Sequence, residues 1–303
     1  MAALRRFTIA RLEPTGIGGL LLRGTGGMLA VTMVIAAVLA AFLLRIKVSA
    51  GEAFEGWPFR ALVAYGTIHA VGIAVGVLLT LSLIVSVTRF VLLRRARLRS
   101  TEGPANLTPW RVAFRETLVD LATMRRHRSE TRPTGLGWLR DPWLIHVLIL
   151  SGFVGLLVAT ALDFLVLYLM QSVFHLSMFW PARVLGTASG LAMLAGVSLA
   201  IARRLRRDGP SATTTRAPDA WLLGLLFLLA VTGFWIEAAV TFTLTSPVND
   251  WVLLIHSAVA MELVLLLGAT KLAHALYRPL ALLFMHRRRD PSVEIAARTG
   301  CGS

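Results

Sequence analysis

Trp251-Val-Leu-Leu-Ile-His256-Ser-Ala-Val-Ala-Met-Glu262-Leu-Val-Leu-Leu-Leu-Gly268-Ala-Thr-Lys271-Leu-Ala-His274-Ala-Leu-Tyr277 is the stretch on which the reading of this chain turns. It is apolar over a length that crosses a bilayer, so it predicts one membrane-spanning helix over residues 251–277. His256 and His274 stand 18 residues apart within it. At about 3.6 residues per turn that is five turns, so both imidazoles leave one helix face roughly 27 Å apart along the axis. The bilayer hydrocarbon core is about 30 Å thick, which puts one histidine near each surface. The spacing suits a helix that offers one ligand to each of two haems stacked across a membrane.

Composition points the same way. Of the 303 residues 56% are hydrophobic, with a mean hydropathy of +0.71, which is too apolar for an ordinary soluble domain. The formal net charge is +15. The basic residues cluster in loops between apolar runs, which argues for a membrane orientation signal and against nucleic acid. The single cysteine, Cys301, excludes an intrachain disulfide and a cysteine-ligated cluster, so any iron–sulfur centre must belong to a partner. Residues 1–26 lack the compact apolar core and cleavage site of a removed signal peptide.

Six runs are long enough to span: 28–46, 61–92, 142–169, 183–201, 220–240 and 251–277. Backbone amides in lipid must be satisfied within the segment, so the fold class is all-α, a polytopic bundle of six transmembrane helices. Trp57, Trp143, Trp180, Trp221 and Trp251 fall near span ends, as interfacial aromatics do. Arginines crowd the segment after the second run (Arg94, Arg95, Arg97, Arg99, Arg111, Arg115, Arg125, Arg126, Arg128, Arg132), that after the fourth (Arg203, Arg204, Arg206, Arg207, Arg216) and the tail (Arg287, Arg288, Arg289). The alternate connections are nearly free of basic charge. The positive-inside rule therefore predicts both termini in the cytoplasm of a multi-pass plasma-membrane protein.

The expected organisation is a cytoplasmic N-terminal segment (1–27), two transmembrane helices (28–92), a basic cytoplasmic loop with an amphipathic helix (93–141), a four-helix haem-binding core (142–278) and a basic cytoplasmic tail (279–303). The loop helix is signalled by Thr108-Pro109, an N-cap followed by proline at the first helical position. Leu107 precedes it and Val112 follows it, and Phe114, Leu118, Leu121 and Met124 then recur at four- and three-residue steps. Such a helix either lies on the membrane surface or docks a cytoplasmic subunit.

Polar residues inside spans are costly and tend to be functional. Four of the seven histidines lie in predicted spans: His69, His146, His256 and His274. His127 and His286 border arginine runs and read as solvated, and His175 lies in an outer loop. Counting along alternating helices puts His69 and His256 in the outer leaflet, and His146 and His274 in the inner one. Two imidazoles on facing helices form an axial pair for haem b, so these four are the expected ligands to the iron of two haems. Gly66, Gly72 and Gly76 flank His69, and Gly152 and Gly155 follow His146. Such glycines serve either a flat macrocycle or close helix packing.

Lys271, one turn from His274, is a candidate partner for an inner propionate, and Arg183 or Arg60 for an outer one. Each has snorkelling as its bland alternative. Asp163, Glu237 and Glu262 are carboxylates within or near spans. Asp163 is the leading candidate to accept a proton from a quinol, because it lies at the outer end of the His146 helix.

The segment Trp143-Leu-Ile-His146-Val-Leu-Ile-Leu-Ser-Gly152-Phe153-Val-Gly155 resembles a helix of the respiratory nitrate reductase gamma subunit family. The His256…Lys271-Leu-Ala-His274 segment is similar to that family's last helix. The continuation Ala275-Leu-Tyr277-Arg278-Pro279 looks like the related membrane cytochromes of heterodisulfide reductase and dissimilatory sulfite reductase complexes. The resemblance covers about residues 62–283, with the first span as an addition to a five-helix pattern. It implies haem b cofactors, menaquinol or ubiquinol chemistry near the outer haem, and electron exchange with a cytoplasmic iron–sulfur subunit. The family's early helix carries two ligands ten residues apart. Here His146 fills the first position and Leu156 stands at the second, so His69 is expected to take over the outer role.

The reading is thus a dihaem cytochrome b subunit in contact with membrane lipid, with the quinone pool outside and an iron–sulfur partner inside. The alternatives are a haem-free membrane anchor or transporter, and a cytochrome b anchor of the hydrogenase or formate dehydrogenase type.

Overall fold

The computed structural model describes residues 12–46, 59, 62–101, 108–123, 141–165, 181–206 and 217–287. These residues are helical, with no strand among them. In chain order the helices are α1 (Ile17–Arg23), α2 (Thr25–Arg45), α3 (Tyr65–Thr101), α4 (Trp110–Thr123), α5 (Pro142–Leu165), α6 (Ala182–Leu205), α7 (Ala217–Thr241), α8 (Pro247–Leu265) and α9 (His274–Arg287). Six of them, α2, α3 and α5 to α8, are long and apolar enough to cross a membrane. The chain is a multi-pass helical membrane protein.

The helices extend past the expected apolar runs where basic residues continue them. Helix α3 runs to Thr101 through Leu-Arg-Arg-Ala-Arg-Leu-Arg, and α6 ends with Arg203 and Arg204 in its last turn. Arginine is a good helix former, and near a helix C-terminus its charge complements the macrodipole.

The last expected span is corrected. Residues 251–277 are not one helix: α8 stops at Leu265, a turn follows, and a 3₁₀ turn at Lys271–Ala273 leads into α9. The turn is closed by Ala269 N–H and Thr270 N–H on the Leu266 carbonyl, at 3.1 and 3.0 Å. The Thr270 hydroxyl then accepts the Leu272 N–H at 3.4 Å. Pro279 within α9 removes one further helical donor. The single face expected to carry His256 and His274 over five turns therefore does not exist.

The chain divides into two compact units. One comprises Arg23–Gly76 and Arg132–Leu265, the other Met1–Leu22, Val77–Thr131 and Leu266–Ser303. In the first unit α5 packs on α6, α6 on α7, α7 on α8, and α8 on α2. The α5–α6 pair is held at glycines. A Cβ at Gly152 would lie 2.6 Å from Met193 N and 2.7 Å from Ser189 O. One at Gly155 would meet Ser189 Cβ at 2.8 Å, and one at Gly196 would meet Leu148 Cβ at 2.8 Å. Gly152 and Gly155 are thus helix-packing residues, as small residues in membrane bundles commonly are. Leu39 and Leu43 of α2 share a core with Val71 and Val75 of α3 and Leu254, Ala258 and Met261 of α8. The Thr67 hydroxyl donates to the Ile46 carbonyl at 2.7 Å, which ties the first turn of α3 to the end of α2.

In the second unit α4 packs on α9. His286 is corrected from solvated to buried, at 8% exposure. Its Nε2 lies 3.2 Å from Asp120 Oδ2 and its Nδ1 3.1 Å from the Thr117 hydroxyl. The Thr108 N–H donates to the Arg287 carbonyl at 2.8 Å, and the Arg287 guanidinium stacks 3.6 Å over Trp110. Helix α4 starts where the Thr108-Pro109 signal predicts, but it buries Ala113 and Thr117 and leaves Val112, Phe114 and Leu118 exposed.

Candidate functional site

The first unit contains a partly open cavity of about 820 Å³ between the start of α3 and helices α5 to α8. Its wall is mostly apolar, with Phe153 and Leu156 from α5, Phe234 from α7 and Met261 from α8. Two histidines line it: His69 from the second turn of α3 and His256 from the middle of α8. The depth count paired these two, and the structure brings them to one cavity. Leu156 lines the same cavity.

His256 is held from its far side. Its Nδ1 lies 2.9 Å from the Thr232 hydroxyl on α7, and that hydroxyl also lies 2.7 Å from the Leu228 carbonyl. A threonine hydroxyl has one proton to give. With that proton on the Leu228 carbonyl, the hydroxyl can accept from Nδ1–H, and in that tautomer the second ring nitrogen carries no proton. Gly233 makes room for the ring, since a Cβ there would lie 3.2 Å from His256 Cε1. Neither Thr232 nor Gly233 emerged from the sequence reading, although a Thr-Gly pair inside an apolar helix is the signal that could have found them.

Asp163 of α5 and Glu237 of α7 also line the cavity. Asp163 lies within Coulombic reach of His69. Glu237 Oε1 accepts from Arg183 Nε at 3.0 Å and from the Thr187 hydroxyl at 3.1 Å. Arg183 also donates to the Thr241 hydroxyl. The Arg183–Glu237 pair is about a third exposed, with side chains at 30% and 32%. Arg183, expected beside a propionate, is thus already engaged by a carboxylate at the cavity's edge.

His146 and His274, the expected inner pair, belong to different compact units. His146 lies near the start of α5, half-buried, and does not line the cavity. His274 opens α9 in the other compact unit. The side chains of His274 and Lys271 lie outside the described residues, as do Arg60, His127 and His175. Among the described residues no group of three or more His, Cys, Asp or Glu is placed to hold a metal ion unaided. A haem asks less of the protein, because the porphyrin fills the equatorial positions and two axial imidazoles complete the iron. The cavity volume falls within the range of about 300–1,000 Å³ usual for cofactor sites.

Comparison with family models, with curated proteins and with solved structures finds no match to this chain.

Proposed function

We propose that this protein is a membrane cytochrome b that passes electrons between the quinone pool and a redox partner. The observation that carries the reading is the pair His69 and His256, two imidazoles from separate helices lining one apolar cavity inside a membrane bundle. The residues present suit a haem b. Thr232 holds His256 at Nδ1, and a hydrogen bond on one ring nitrogen is the usual support for a histidine that ligates through the other. When bound, the haem supplies reversible one-electron transfer. The chain would hold it in the mostly apolar cavity, and Asp163, on the same cavity wall as His69, would accept a proton from a quinol.

The finer parts of the reading are proposals as well. A second haem would use His146 and His274, with Lys271 near its propionates. Both termini would face the cytoplasm of a plasma-membrane protein, where an iron–sulfur subunit takes or gives electrons. The resemblance to the nitrate reductase gamma family rests on the His146 and His256/Lys271/His274 segments. A haem-free transporter is the second reading. It is favoured by the broken α8–α9 connection and by carboxylates in the cavity, features that transporter sites share.

The test is an absorption spectrum. Protein purified from membranes with ample haem should show a reduced b-type band. His256→Ala and His69→Ala should each lose the outer-haem contribution while still eluting as folded protein. A wild-type protein with no haem band would overturn the proposal in favour of the transporter.

A further inference from the structure

Glu262 lies in the transmembrane helix α8 at 1% exposure, among the most deeply buried side chains of the molecule. Its Oε1 is enclosed and has no hydrogen-bond partner among the described residues. It sits six residues beyond His256, about 9 Å along the helix, yet it is not part of the cavity wall, which takes Met261 and Leu263 on either side of it. Neighbouring charges are few. Of the helices packed on α8, α2 carries only Arg45, at its last position. Helix α7 carries Asp219, which interacts with Arg204, and Glu237, which is bound by Arg183. The first turns of α3 contribute His69, which faces the cavity.

An ionised carboxylate buried without a counter-charge or donors is strongly disfavoured, and in membrane helices such residues mark ion or proton sites. A metal ion held by acidic, histidine or cysteine side chains would need several of them, and among the described residues no group of three or more gathers at Glu262. A proton needs only the carboxylate. We propose that Glu262 is an intramembrane proton-binding site, separate from the histidine cavity and protonated in the resting protein.

The experiment uses the full chain in lipid nanodiscs and does not depend on haem. The infrared difference between wild type and Glu262→Gln should contain the C=O band of a protonated carboxylic acid at neutral pH, and that band should fade as the pH is raised. Dicyclohexylcarbodiimide gives a second readout. The acid O–H adds across its C=N bond, with the proton going to nitrogen and the carboxyl oxygen to carbon. The acyl group then migrates to nitrogen, so one reagent mass is gained and nothing leaves. Labelling at Glu262, lost in Glu262→Gln, supports the site. Because a neutral acid is replaced by a neutral amide, the variant should fold normally. A difference spectrum without the acid band, or a variant that fails to fold, overturns the proposal.

Discussion

Gly152→Ala should loosen the α5–α6 pair, and its magnitude can be worked from the contacts. The added methyl would stand 2.6 Å from Met193 N, and 2.7 Å from both Met193 Cβ and Ser189 O. Carbon contacts are comfortable at about 3.5–4.0 Å, so the shortfall is about 1 Å. Two of the three atoms met are backbone, and no rotamer change moves them aside. The helices must part locally, and a gap of about 1 Å forfeits up to half of the dispersion well for the atoms along it. In lipid that packing is a main source of helix association. Overpacking of this kind costs about 1–3 kcal/mol. Gly224→Ala is the control, because nothing lies within 4 Å of its Cβ position. There, alanine should only recover helix propensity and stabilise by about 0.5–1 kcal/mol. Thermal melting in detergent, followed by size-exclusion fluorescence, separates the two variants by sign. If Gly152→Ala melts at or above Gly224→Ala, the close α5–α6 contact is not as described.

Thr232→Val keeps the shape of the side chain but removes the hydroxyl that holds His256. On the cytochrome reading, haem affinity should fall about 10–100-fold in a haem titration, the usual effect of losing a partner behind a ligand; unchanged affinity would remove Thr232 from the site. His286→Ala removes two hydrogen bonds and should weaken the seat of α4 on α9 by about 1–3 kcal/mol, read as faster tryptic cleavage at Arg111 and Arg115. Equal cleavage rates would count against that seat. A phosphatase reporter inserted after Ser246 should be active and one after Thr123 inactive, and the reverse pattern would invert the proposed orientation.

What the sequence made legible, and what it hid, follows from the kinds of force involved. Span number came through because the cost of exposing backbone in lipid leaves long apolar helices as the solution. The meeting of His69 and His256 at one cavity was within reach of the sequence because helical rise is regular, so counting residues compares positions along neighbouring helices. The same counting failed beyond Leu265. Leu266, Leu267, Gly268 and Ala269 are as apolar as a helix, and hydropathy cannot separate a turn built of such residues from a continuing span. Only Thr270, with its hydroxyl on the Leu272 amide, hinted that the backbone needed a partner there.

His286 was hidden for the opposite reason. Its neighbours are arginines, but the group that buries it comes from α4, more than 160 residues earlier in the chain. Helix α4 carries the lesson further. In water its apolar stripe would be the buried one, and Phe114, Leu118 and Leu121, at four- and three-residue steps, read as a packing face. Here the stripe of Ala113, Thr117 and Asp120 meets α9, while Phe114 and Leu118 stay about half exposed. Small and polar groups make this helix contact, as they do where Gly152 and Gly155 meet Ser189. In this chain small and polar positions mark two of the places where helices meet, Ser189 against Gly152 and Gly155, and Thr117 and Asp120 against His286.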